Sequence, residues 1–150
     1  MQWERYQAYL KSIGDRLPSG AAAFARAEWH YNHEDRRCPH DAWLEELTMR
    51  EHSVSDQPQE RLLDISVRLL GAYHDGHLHL TYREVRSYRL DQPPFTWETG
   101  KIRRAHWDWL VDEVRLDESG SVVHEVRWSD SGVWAITCRD LDVDWVPLAQ

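Results

Sequence analysis

Apolar and polar residues alternate most clearly in the middle of the chain. Every second position from residue 63 to residue 69 is apolar, with Asp64, Ser66 and Arg68 between. A period of two places one set of side chains on a buried face and the other in water, which predicts a β-strand. Similar patterns predict strands over residues 43–51, 78–90, 110–116, 122–128 and 133–141. The alternation changes phase near Val85, which indicates a β-bulge.

The N-terminal part has a different period. Its apolar residues recur at spacings of three and four, at Trp3, Tyr6, Leu10, Ile13 and Leu17. This spacing predicts an amphipathic helix that ends at Pro18, because proline cannot continue the helical hydrogen bonds. The alanine-rich segment that follows predicts a second helix reaching about Trp29 or Tyr31, with Ser19 as its N-cap.

The strands form two similar sets of three. Setting Asp41 on Asp108 aligns the first strands at an offset of 67, and setting Thr81 on Thr137 aligns the third strands at an offset of 56. We therefore predict one α+β domain spanning 1–150, helical over 1–31, with a first meander at 40–90 and a second at 106–146. One or two N-terminal helices would pack on an antiparallel sheet or open barrel of about six strands, built from two related three-stranded meanders.

Polar residues are repeated along with the apolar ones. Asp41 and Asp108 precede the first strand of each half, and Arg83 and Arg139 lie on the third. Arginine binds carboxylate through two parallel hydrogen bonds, so this repeat favours an Asp–Arg clamp in each half that supports the fold. The alternative is a pair of acidic binding sites near a pseudo-two-fold axis.

The chain has nine tryptophans, an unusually high number for its length. Most should belong to the core, and any left exposed would mark a contact surface, where tryptophan is enriched. The residues available for such a surface include Trp97, Trp107, Trp109, Trp128, Trp134 and Trp145. Together with the two repeated acids, the candidate binding residues are Asp41, Asp108, Trp107 and Trp109.

Sequence motifs for catalysis are lacking. There is no G-x-S-x-G, no glycine-rich phosphate loop and no cysteine pair at metal spacing, and Cys38 and Cys138 are expected to be free thiols. The sequence thus predicts no catalytic residue and no cofactor. The alternative is a metal-assisted hydrolase using His74, His77 and His79, although alternation with Leu78 and Leu80 places the last two histidines on the solvent face.

Charge limits the possible partners. The net charge of −8 argues against nucleic acid, whose binding needs a basic surface, and permits a basic protein partner. The chain has no signal-peptide pattern and no apolar run of membrane-spanning length, which predicts a cytoplasmic protein without membrane contact. Exposed edges of the predicted sheet would also permit a homodimer or a purely structural, self-associating protein.

The segment Pro39-His40-Asp41-Ala42-Trp43 and the later Leu80-Thr81-Tyr82-Arg83-Glu84-Val85 resemble a loose group of small bacterial proteins. These have a His-Asp-Ala sequence at the start of a strand, followed by β-hairpins, and several are immunity-like proteins of toxin systems. The resemblance covers roughly residues 24–90. It implies an α+β fold and a cytoplasmic binding protein without catalytic activity, such as a neutraliser of a basic toxin.

Overall fold

A computed structural model describes residues 1–95 and 104–149. Helix α1 spans Trp3–Ile13, a 3₁₀ turn follows at Gly14–Arg16, and α2 spans Ser19–Ala25. The strands are β1 Trp43–Ser53, β2 Arg61–Leu70, β3 Gly76–Asp91, β4 Trp109–Leu116, β5 Val122–Trp128 and β6 Val133–Pro147. The predicted α+β class, with two N-terminal helices and six antiparallel strands, is confirmed.

The six strands form one open sheet in the order β1-β2-β3-β6-β5-β4. Each half is a meander, and the long strands β3 and β6 join the halves at the centre. In the first half Met49 faces Ile65 on the next strand, and Ile65 faces Tyr82. In the second half Leu116 faces Val122, and Val122 faces Cys138. The resulting offsets, 67 (116 − 49) and 56 (138 − 82), equal those of the sequence alignment. Equivalent residues of the repeat therefore occupy equivalent positions in the sheet.

The helices pack on the second half of the sheet. Helix α2 lies against β6 and β4. A side chain at Gly20 would meet the main-chain oxygen of Leu141, so glycine permits this close approach. Asp140 accepts hydrogen bonds from the main-chain N–H groups of Gly20 and Ala21. The predicted N-cap role of Ser19 is wrong, because this carboxylate from β6 takes it.

The outer edge of β4 is covered by tyrosines of α1. The Tyr6 hydroxyl accepts a hydrogen bond from the N–H of Val114 at 2.7 Å and donates one to its main-chain oxygen at 3.1 Å. The N–H of Leu116 donates to the Tyr9 hydroxyl at 2.9 Å. Burial raises the pKa of Tyr6 to about 12, so its hydroxyl keeps the proton that it donates. These side chains occupy the place of a seventh strand.

The predicted Asp–Arg clamps do not form. Arg83 pairs with Asp142 at 2.6 Å, and Arg139 pairs with Glu84 at 3.2 Å. Both arginines thus bind acids on the two central strands, not the aspartates that precede β1 and β4. In the residues described, no helix is both long and apolar enough to cross a membrane.

Candidate functional site

The starts of the two edge strands meet at one end of the sheet. Asp41 N–H donates to the main-chain oxygen of Trp109 at 2.9 Å, and Trp109 N–H donates to that of Ala42 at 3.0 Å. Strands at opposite edges of the sheet are therefore joined here by two main-chain hydrogen bonds. We call residues 40–43 and 107–110 the aromatic seam.

An arginine lies between two indole rings on this seam. The Arg104 guanidinium carbon is 4.9 Å from the ring centroid of Trp43 and 4.7 Å from that of Trp107. Asp108 accepts hydrogen bonds from Arg104 at 2.8 Å and from the Trp43 indole N–H at 2.7 Å. The charge-assisted bond and the two cation–π contacts hold the arginine in one orientation. Trp107 stays 41% exposed and presents an ordered apolar surface to solvent.

Asp41 is the exposed acid of the seam. Its φ of 66° lies in the left-handed region, which aspartate adopts more readily than most residues. Its side chain is 60% exposed, and its nearest basic group among the described residues is the His40 Nε2, at 3.4 Å. The Asp41 main chain therefore joins the two strand starts, while its carboxylate faces water.

A cleft of about 490 Å³ opens beside the seam. Its rim includes Trp3, His33, His40 and Leu110. The His33 and His40 rings stack with centroids 4.0 Å apart, and His40 Nδ1 donates to the main-chain oxygen of Leu110 at 2.9 Å. Trp3 and Leu110 are both substantially exposed. The cleft thus continues the aromatic surface of the seam towards the N-terminal helix.

The floor of the cleft contains a buried histidine–aspartate pair. His30 Nδ1 lies 2.8 Å from the main-chain oxygen of Phe24, and Nε2 lies 2.8 Å from both carboxylate oxygens of Asp112. Because each ring nitrogen faces an acceptor, both must donate, and His30 is an imidazolium cation. Its charge balances that of Asp112 inside the protein.

Asp112 also binds the core of the second meander. It accepts hydrogen bonds from His124 Nε2 at 2.8 Å and from the Trp109 indole at 3.2 Å, and the Tyr82 hydroxyl donates to His124 Nδ1 at 2.8 Å. Burial alone would raise the pKa of Asp112, but the His30 charge and the bonds from both histidines outweigh it and lower that pKa. Burial also holds the Tyr82 pKa well above its usual value. The network is therefore a fixed, charge-balanced support for Trp109.

Two further groups fasten the helical segment to this network. The Tyr31 ring stacks on His30 at 4.0 Å, and its hydroxyl donates to the main-chain oxygen of Asp112 at 3.0 Å. The Cys38 thiol donates to the main-chain oxygen of His30 at 3.0 Å. Burial raises the pKa of this thiol to about 11, so it stays neutral near pH 7 and is not an activated nucleophile.

The alternative metal ligands do not converge. His77 Nε2 bonds Glu45 at 2.8 Å, and the His77 and His79 rings lie 6.2 Å apart. The His74 ring packs 4.4 Å from that of Trp43. Across residues 1–95 and 104–149, no three His, Cys, Asp or Glu side chains are placed to hold a metal ion.

All four candidate binding residues lie on the seam. Asp41, Asp108 and Trp107 are at its surface, whereas Trp109 is buried and supports it from below. Trp97 lies outside the described residues. Sequence reasoning missed the buried pair of His30 and Asp112. The one signal in the sequence is that Asp112 stands two positions before Val114 and therefore shares the buried face of β4. Comparisons with protein-family models, curated proteins and solved structures find no match.

Proposed function

We propose that the protein is a non-enzymatic binding protein that contacts a protein partner through the aromatic seam and the adjoining cleft. The observation that carries the proposal is the ordered arrangement of Trp43, Arg104 and Trp107 on the seam, with both indole rings exposed. Tryptophan and arginine are the residue types that contribute most to binding energy at protein interfaces.

The seam is organised before any partner arrives. Asp108 fixes Arg104, and buried Trp109 is held by Asp112. Rigid aromatic side chains lose little conformational entropy when they are covered, which favours affinity. The polar groups of the buried network bond to one another, which supports a structural role for that network below a contact surface.

The charge balance supports a basic partner. The chain carries 26 acidic and 18 basic residues, and the exposed Asp41 carboxylate stands at the seam. An acidic surface accelerates encounter with a basic protein and makes association sensitive to salt. A basic toxin, neutralised in the manner of an immunity protein, is the partner that we propose.

The test uses three baits of the full chain: the unchanged protein, Trp107→Ala, and Tyr88→Ala as a matched control. Tyr88 is an exposed aromatic residue on β3, outside the seam. Each is immobilised and exposed to lysate of the source organism at low salt. We expect one basic protein to be retained by the unchanged and Tyr88→Ala baits, and to lose roughly 2 kcal/mol of binding energy with Trp107→Ala.

The comparison between baits decides the outcome. A partner held equally by all three would bind elsewhere and would contradict the seam as its site. Failure to retain any basic protein at low salt would contradict the proposed function as a whole. Release by raised salt would support the electrostatic part of the proposal.

A further inference from the structure

Strand β1 corresponds to β4 in the other half, but its outer edge is open. The described residues place hydrogen-bond donors or acceptors against that edge only at its ends, where Trp109 N–H reaches Ala42 and the Arg61 guanidinium reaches the main-chain oxygen of Glu51. Met49, in the middle of the strand, is 39% exposed. An uncovered edge of this kind is a template for pairing with another strand.

The register with β2 shows which main-chain groups point outward. Just after β1, the N–H of Val54 donates to the main-chain oxygen of Glu60. These two residues continue the β1–β2 register, in which Ser53 faces Arg61 and His52 faces Leu62. In antiparallel strands the hydrogen-bonded positions alternate. Even-numbered residues of β1 therefore bond to β2, and Leu47 and Met49 direct their N–H and C=O groups away from the sheet. These groups are available to a second strand.

The central sequence of this edge is complementary to itself. It reads Glu46-Leu47-Thr48-Met49-Arg50, an acid and a base arranged symmetrically around two apolar residues and a threonine. Antiparallel pairing centred on Thr48 sets Glu46 of each copy opposite Arg50 of the other. It also sets Leu47 opposite Met49, the residues whose main-chain groups point outward.

We propose that two copies of the chain pair through β1, antiparallel and centred on Thr48, to form one continuous twelve-stranded sheet. Cross-strand pairs of opposite charge and of apolar residues stabilise such a ladder, and like charges directly opposite destabilise it. Arg50 forms no salt bridge with a described residue, so it is available to Glu46 of the second copy. Glu46 lies 3.5 Å from Arg68 in its own copy, but its side chain is 56% exposed and can reach Arg50 of the second copy.

Charge selects this register over its neighbours. A shift of two residues in either direction removes both Glu46–Arg50 pairs, and a shift of four sets Glu46 opposite Glu46 or Arg50 opposite Arg50. The register also places Glu45 opposite Glu51, but Arg68 and Arg61 already bind these two carboxylates within each copy. Only the register centred on Thr48 combines outward main-chain groups with two complementary charge pairs.

Charge reversal tests the pairing. The full chain is measured by light scattering at about 100 µM, since small interfaces are at the weak end of stable association. We expect the unchanged protein to reach twice its monomer mass of 17.8 kDa. Glu46→Arg or Arg50→Glu alone should return it to the monomer mass. Arg89→Glu, a charge reversal at an exposed position of β3, is the control and should stay dimeric.

Mixing the two single variants gives the most specific result. Two copies of Glu46→Arg place arginine opposite arginine, and two copies of Arg50→Glu place glutamate opposite glutamate. In a mixed pair, the arginines of the first variant face the glutamates of the second. We expect an equimolar mixture, and also the double variant, to recover the dimer mass. Both single variants should unfold cooperatively on heating, which shows that they remain folded, and the dimeric control should melt somewhat higher because association stabilises the folded state.

Three results would overturn the proposal. These are a monomer mass for the unchanged protein, a dimer mass that persists in both single variants, and a mixture that stays monomeric. The β1 pairing is centred on Thr48, outside the seam, so its failure would not bear on partner binding through the seam.

Discussion

Strands β1 and β4 occupy corresponding positions at opposite edges of one sheet, yet they meet their surroundings differently. The outward main-chain groups of Val114 on β4 are satisfied by the Tyr6 hydroxyl. The outward groups of Leu47 and Met49 on β1 have no such cover among the described residues. A fold with two similar halves needs only one helical segment to close one edge, and the other edge stays open for association.

The cause of the difference is a buried charge pair. His30 follows α2 and binds Asp112 on β4, which fixes the helical segment over the second half. In the sequence alignment the counterpart of Asp112 is Glu45, a surface residue that pairs with Arg68 and His77. The first half therefore has no buried anchor for a covering helix.

Among these variants, loss of the buried His30–Asp112 pair should lower the free energy of unfolding the most. Asp112→Ala leaves the His30 cation buried without its partner, and we expect the free energy of unfolding to fall by about 3–5 kcal/mol. Urea denaturation measures the loss. Glu45→Ala is the matched control, and loss of its exposed pairs should cost less than about 1 kcal/mol. Equal losses in the two variants would refute the buried anchor.

The edge cover itself should have an intermediate effect. Tyr6→Phe removes the hydroxyl and leaves the N–H and C=O of Val114 without partners, which should cost about 1–3 kcal/mol. Thermal unfolding measures the change. Tyr88→Phe deletes a hydroxyl that bonds no described residue, and the change should be within about 0.5 kcal/mol. If both substitutions were neutral, the tyrosine hydroxyls would not be essential to the β4 edge.

The sheet was largely predictable because its signal is local. Alternation located all six strands, and the phase change near Val85 corresponds to the register shift between Val85 and Ser87. The second helix ends at Ala25, earlier than its alanine-rich sequence predicted. There the Arg26 side chain bonds the main-chain oxygens of Leu10 and Gly14, a contact with α1 that helix propensity does not report.

The site was predictable only in part. The repeat identified Asp41 and Asp108, and both lie on the seam. Their predicted arginine partners were wrong because Arg83 and Arg139 lie on the paired central strands β3 and β6, where each meets an acid of the facing strand. The pair of His30 and Asp112 is 82 residues apart in the chain and belongs to no motif, so only the fold brings it together.

Hydrogen exchange distinguishes a covered β4 edge from an open β1 edge. In the Arg50→Glu variant, expected to be monomeric, the amides of Val114 and Leu116 should exchange slowly because tyrosine hydroxyls bind them. The outward amides of Leu47 and Met49 should exchange much faster, because water alone covers them. Equal protection at the two edges, or slower exchange on β1, would show that β1 is not the open edge of the sheet.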